Sequence, residues 1–152
     1  MPTLEARAKI NLFLRVLGRR ADGFHEIESI FHTVDLADRI EVDDADDLVV
    51  EMDEASEVRL DIPPEENIVY RAAQLLRRTS EVPHGARIRI LKSIPFGAGL
   101  GGGSVDAAAV LVALERTWGL SLSDESLRDV AAEVGSDVPY CLTGGPALVT
   151  GR

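Results

Sequence analysis

Every even position from Leu4 to Val16 is apolar (Leu4, Ala6, Ala8, Ile10, Leu12, Leu14, Val16), while the odd positions carry Glu5, Arg7, Lys9, Asn11, Phe13 and Arg15. This strict period of two predicts a long strand with its even face buried. The same pleat puts Lys9 and Asn11 side by side on the opposite face, pointing away from the core that the even residues build. GRRADG, Gly18 to Gly23, is a loop with a glycine at each end, and His25 to Leu36 returns as a second strand. Shorter alternations at Arg39 to Val42, Leu48 to Met52 and Arg87 to Ile90 make the first third of the chain mainly β.

The period then changes. Asn67 can cap a helix whose apolar stripe is Ile68, Ala72, Leu75 and Leu76, ending near the Thr79 to Pro83 turn. A second helix has Ala107, Val110, Leu111, Leu114 and Trp118 at helical spacing, with Trp118 in the core and Gly119 as the C-terminal cap. A third begins near Ser123 on the stripe Leu127, Val130, Ala131 and Val134, and Gly135 closes it. The order of strands, helix, strand, glycine loop, two helices and a strand is an α+β pattern, not a regular doubly wound sheet. Neither a repeat nor a linker divides residues 1–152, so one domain is expected. Ala147, Leu148 and Val149 read as a strand that stops almost at once, and the native chain is expected to continue past it.

With 152 residues, 45% of them hydrophobic, the chain can bury one ordinary core. It has no apolar run of membrane-spanning length and no secretory leader pattern, so it reads as soluble and cytoplasmic, without a membrane partner. The single cysteine, Cys141, excludes an internal disulfide and a multi-cysteine metal cluster, and reads as a small buried apolar residue. A formal net charge of -10 argues against general nucleic-acid binding, which needs a concentrated positive field. A single nucleotide remains compatible with it, because backbone N–H groups can hold phosphates at short range. The acidic run DDADD, Asp43 to Asp47, reads as a solvated turn. His32 and His84 have no chemical partner within reach by sequence.

The segment IPFGAGLGGGSVDAAAVLVAL, Ile94 to Leu114, carries the strongest chemical signal. Five glycines occupy seven positions (Gly97, Gly99, Gly101, Gly102, Gly103), directly after a strand and before a helix. Successive N–H groups freed of Cβ atoms can turn toward one anion, and the helix start adds its unpaired N–H groups and positive dipole end, with Ser104 and Asp106 available as caps. This is a phosphate cradle. The lysine and hydroxyl of the G-x-x-x-x-G-K-[ST] loop are missing, which separates it from that class.

The run PFGAGLGGGSVDAA resembles the motif that defines the GHMP superfamily of small-molecule kinases, in the glycine-rich form of the branch that acts on a cytidine diphosphate-linked methylerythritol. Two more blocks resemble that branch: ARAKINLFLRVLGRRADGFHEI, Ala6 to Ile27, and EVGSDVPYCLTGGPALVTG, residues 133–151. The resemblance implies a GHMP N-terminal domain, a two-layer sandwich of the ribosomal S5 domain 2-like fold. It implies Lys9 and Asp137 as catalytic residues. Pro95, Gly97, Gly99, Leu100, Gly101, Gly102, Gly103 and Ser104 would hold the phosphates of ATP, with Asn67 on the adenine side. Asn11 would position the substrate, Phe24 would stack on cytosine and His25 would read its edge. The implied reaction is ATP-dependent phosphorylation of the 2-hydroxyl of that small molecule in isoprenoid biosynthesis, with Mg2+ accompanying ATP, Ser104 a candidate contact through the phosphates, and no protein carboxylate set assigned to the metal.

Departures from the pattern are Arg7 in place of proline, Phe24 in place of tyrosine and Val105 in place of a second serine. The superfamily's C-terminal half, with its own T-G-S-G motif, has no counterpart in the chain. Two other readings stay open on sequence: a homoserine- or mevalonate-type GHMP kinase, against which DGFHEI and GSDVPY count, and a non-catalytic nucleotide-binding fragment. The sequence does not set the oligomeric state.

Overall fold

A computed structural model describes residues 3–23, 25–57, 63, 66–95, 100–143 and 147–151. The alternating N-terminal segment forms β1 (Thr3–Arg19), which pairs antiparallel with β2 (His25–Ala45). The two alternations expected on either side of Ala37 are therefore one strand. It also absorbs Asp43 and Asp44 of the acidic run, because pairing with the strand that starts at Gly85 continues to Ala45, and only Asp46 and Asp47 are left to turn. β3 (Leu48–Met52) and β4 (Gly85–Leu91) run parallel, joined by the crossover helix α1 (Ile68–Thr79). The sheet order is β1-β2-β4-β3, and β5 (Ala147–Gly151) pairs antiparallel with the first part of β2, from Ile27 to Phe31.

Helices α1, α2 (Gly102–Thr117) and α3 (Asp124–Val134) cover the four-stranded region and give the expected two-layer α+β sandwich. Ile40, Val42, Ile88 and Ile90 of the sheet meet Val69, Ala72 and Leu76 of α1 and Ala107, Val110, Leu111 and Leu114 of α2. The caps fall where local chemistry placed them. Asn67 Oδ1 accepts the Val69 N–H at 2.8 Å, and Ser123 Oγ accepts that of Ser126 at 3.1 Å. Trp118 packs against the core and donates Nε1–H to the Gly85 carbonyl at 3.0 Å. The one-turn helix α4 (Val138–Cys141) is an addition to the elements read from sequence; four residues are too few to show a period, although Pro139 suits a first helical turn.

The even face of β1 follows expectation only in part. Ala6 and Ala8 are buried, but Leu12, Leu14 and Val16 are 58%, 54% and 58% exposed. The reason is topological: β4 pairs with β2 only from Arg39 onward, so the distal β1–β2 ribbon extends past the part of the sheet that β3 and β4 complete. Register shifts between Arg7 and Lys9, Asn11 and Phe13, and Val16 and Gly18 further break the simple alternation.

Candidate active site

Lys9 belongs by its period to the face opposite Ala6 and Ala8, yet it is only 5% exposed. It stands apart from the core that the even residues build, as its period requires, but is covered by what crosses its strand. Its backbone N–H donates to the Leu100 carbonyl at 2.9 Å, tying the end of the glycine run onto the outer edge of β1. The side chain is enclosed there rather than in the apolar core. Its Nζ lies 3.2 Å from Asn11 Oδ1, 3.9 Å from Asp137 Oδ2 and 4.3 Å above the centre of the Phe31 ring. Hydrogen bond, opposite charge and ring quadrupole all hold the ammonium in place.

Asp137 enters from the other end of the chain, at the residue preceding α4, with its carboxylate about one-third exposed. Tyr140 of α4 meets Phe31 edge-to-face at 5.1 Å between ring centres, and its hydroxyl lies 3.5 Å from Thr33 Oγ1. Lys9, Thr33 and Tyr140 border a cleft of about 410 Å³ between β1, α2 and α4 that also includes Val105 and Ala109. Phe31 and Tyr140 were not recognisable from sequence, because a lone aromatic in an apolar stretch carries no signal beyond burial. Cys141 lines the same cleft. Burial, then the nearby Asp137, push its thiol up to about 12, so it stays protonated and unreactive in the neutral range.

The glycine run delivers helix α2 to this place through three close approaches. Gly101 precedes the helix in the left-handed region at φ +68, where a Cβ would lie 2.9 Å from Lys9 Cε. A Cβ on Gly102 would lie 2.9 Å from Lys92 Nζ, and one on Gly103 3.3 Å from Ile68 Cγ2. The helix opens two residues before the expected Ser104, and no side chain caps it. The capping role read for Ser104 and Asp106 is thus not taken. Instead Asp106 turns inward.

Lys92, just past β4, places Nζ 2.6 Å from Asp38 Oδ2 and 3.0 Å from Asp106 Oδ2, and all three side chains are buried. Burial raises the Asp38 carboxyl, but hydrogen bonding with Asp106, Lys92, Ile94 and Ser93 outweighs it and leaves the group below 3.8. Burial lowers the Lys92 ammonium, but the two carboxylates hold it above 10.5. Burial and the adjoining Asp38 carboxyl keep Asp106 well above 3.8, against the pull of Lys92. The stabilisation from Asp38 is present above its unfolded value and lost as pH falls through the lower folded one. Asp38→Asn is therefore expected to destabilise the chain by about 3 kcal/mol near neutral pH, the cost of breaking a buried pair, with the gap to the parent closing below pH 3.8. Chemical denaturation across that range measures it.

The other expected residues are distributed unevenly. Asn11 joins Lys9, although it is largely solvent-exposed. Asn67 is buried with its carbonyl oxygen committed to the α1 cap, next to the Ile68 that touches Gly103. Leu100 and Ser104 are half-buried and Pro95 is exposed. Gly97, Gly99 and Phe24 lie outside the described residues. His25 begins β2 opposite Arg19, whereas Lys9 pairs with Thr33. Eight residues separate His25 from Thr33, roughly 26 Å along a straight strand, so the ribbon does not set it beside Lys9. Among the described residues no three acidic, histidine or cysteine side chains converge on a metal position.

The GHMP kinases N-terminal domain model matches residues 67–145. The 4-diphosphocytidyl-2-C-methyl-D-erythritol kinase of Pelotomaculum thermopropionicum is 50% identical over 153 residues, covering 99% of this chain and 52% of that protein. The enzyme of the same name from Bacillus subtilis is 49% identical over 149 residues, covering 97% and 50%. The crystal structure of a 4-(cytidine 5'-diphospho)-2C-methyl-D-erythritol kinase superposes with a TM-score of 0.80 at 39% identity, over 99% of this chain and 52% of that one. The mevalonate kinase of Methanococcus jannaschii shares the fold, at a TM-score of 0.73 and 17% identity. The chain spans about half the length of the curated relatives it matches.

Proposed function

This chain belongs to the GHMP kinase family, and we propose that it is the ATP-binding, catalytic-residue-bearing part of an enzyme that phosphorylates the 2-hydroxyl of 4-diphosphocytidyl-2-C-methyl-D-erythritol. The observation that carries the reading is Lys9: its side chain lies under Gly101 at the end of the glycine run, and its ammonium stands 3.9 Å from Asp137. Asp137 accepts the proton of the substrate hydroxyl as its oxygen attacks the γ-phosphorus and ADP departs. Lys9 pairs with that carboxylate and offsets charge building on the transferring group. The backbone from Leu100 to Ser104, with the open N–H groups of the first α2 turn, binds the phosphates. Asn11 steadies the Lys9 ammonium.

The residues fit ATP in one respect: no side chain caps the start of α2, so its first N–H groups are left for phosphate oxygens. Mg2+, which neutralises phosphate charge when bound, would reach this site with the nucleotide, and Ser104 is the chain's own candidate to contact it. The cytidine contacts assigned to Phe24 and His25 belong to the proposal, as does a place in isoprenoid biosynthesis.

Joining residues 1–152 to the C-terminal half of the Pelotomaculum relative gives the direct test. ADP release is expected with the cytidine substrate and not with mevalonate or homoserine; equal rates on all three would overturn the assignment. The solved mevalonate and homoserine kinases, at 16% to 18% identity, share the fold alone. Gly101→Ala imposes left-handed strain of about 1 to 2 kcal/mol, besides crowding Lys9. Because Gly101 has that conformation without nucleotide, the cost falls on the fold, and chemical denaturation is expected to show a loss of about 1 to 2 kcal/mol.

A further inference from the structure

Lys92 is pinned before its side chain begins. Its N–H donates to Ser56 Oγ at 2.9 Å, its carbonyl accepts from Glu57 N–H at 2.9 Å, and Ser56 Oγ donates to the Ile90 carbonyl at 3.3 Å. From this fixed root the ammonium reaches Asp38 on β2 and Asp106 on α2. Asp38 uses its second oxygen, Oδ1, to accept the N–H groups of Ser93 at 2.6 Å and Ile94 at 2.8 Å, the residues that lead into the glycine run. On the far side of the run, Gly102 lies directly against Lys92 Nζ. One buried ammonium therefore ties down both ends of the run: the entry through Asp38, the exit through Gly102 and Asp106.

Three buried ionisable side chains are a costly way to fill a core, because well-packed apolar residues of similar size are often at least as stable. An apolar cluster has no hydrogen-bonding directions with which to fix the two loop ends. We propose that Lys92, Asp38 and Asp106 form a positioning device for nucleotide phosphates, fixing residues 93–94 and the start of α2 relative to one another before ATP arrives. This rests on the reading of the glycine run as the phosphate site. Lys92 is a positioning residue here, with Asp38 and Gly102 between it and the loop.

The cluster acts on phosphates and not on the base, which separates positioning from general support of the fold. Lys92→Met in the 152-residue chain is expected to weaken ATP binding by about tenfold or more through lost preorganisation, while adenosine binding changes by less than about twofold. Calorimetry reads ATP, and saturation-transfer NMR reads adenosine at millimolar concentration. Lys92→Met/Asp106→Asn replaces Asp106 together with its ammonium partner, so it avoids stranding Asp106 and provides a second variant with the same expected selectivity. Parallel losses for ATP and adenosine, unchanged binding of both, or failure of both variants to fold would overturn the proposal. A parent chain that holds ATP no more tightly than adenosine would overturn the phosphate-site reading itself and this inference with it.

Discussion

Asp137→Asn in the complete enzyme is expected to cut phosphoryl transfer by about 10² or more, in the range for removal of a positioned general base, while ATP affinity stays nearly unchanged. Asparagine keeps the shape of the side chain but cannot take the substrate proton, and it carries no charge to pair with Lys9. The backbone around it should persist: the Asp137 side chain makes no capping bond to α4, and the Cys141 N–H bonds the Asp137 backbone carbonyl at 3.3 Å. The split between rate and affinity follows from position, since Asp137 lies just before α4 whereas the phosphate-binding backbone lies between β4 and α2. Wild-type turnover in the mutant would remove Asp137 from catalysis. A fall in ATP affinity equal to the fall in rate would make it a nucleotide-binding residue instead.

Residues 1–152 alone are expected to bind adenine nucleotide weakly and to show no useful turnover of the cytidine substrate. The glycine run, β4, α2 and the lysines beneath them all lie within these residues, so phosphate binding has its parts in this chain. Transfer is more demanding. The hydroxyl must be held in line with the γ-phosphate, and a displacement of about 1 Å can cost on the order of 10²-fold. The cleft beside Lys9 is about 410 Å³, and the chain covers about half of each of these relatives. Exposed Leu12, Leu14, Val16 and Leu17 along the distal ribbon should also promote self-association of the isolated chain. Steady-state assay of the purified chain decides the matter: turnover near 1 per second, an ordinary kinase rate, would show that these residues suffice.

Much of the fold could be read before any coordinates because the controlling signals are local. Asn67 and Ser123 marked helix starts through side chains that bond N–H groups two and three residues away. The period of two marked β1, and the strand before and helix after the glycine run identified it as a candidate phosphate loop. Lys9 and Asp137 were named from motif resemblance, and the fold sets them 3.9 Å apart. Their catalytic roles remain part of the proposal. The phosphate contacts of Gly97 and Gly99 and the cytidine stacking of Phe24 lie outside the described residues, and His25 is fixed only by its place at the far end of the ribbon.

What the amino-acid order determined by itself was therefore periodicity, caps and the position of the glycine run, since each depends on neighbours within about one turn or one pleat. The tertiary structure decided where burial of β1 stops, because that depends on where β4 ceases to pair with β2. It decided that Lys9 is enclosed, because Leu100 crosses the strand edge from 91 residues away in sequence. It also made Lys92 the junction of the site, joining Asp38 across 54 residues and Asp106 across 14. A buried charge is tolerable only where opposite charges and N–H groups converge on it, and convergence among three elements exists only after the chain has folded.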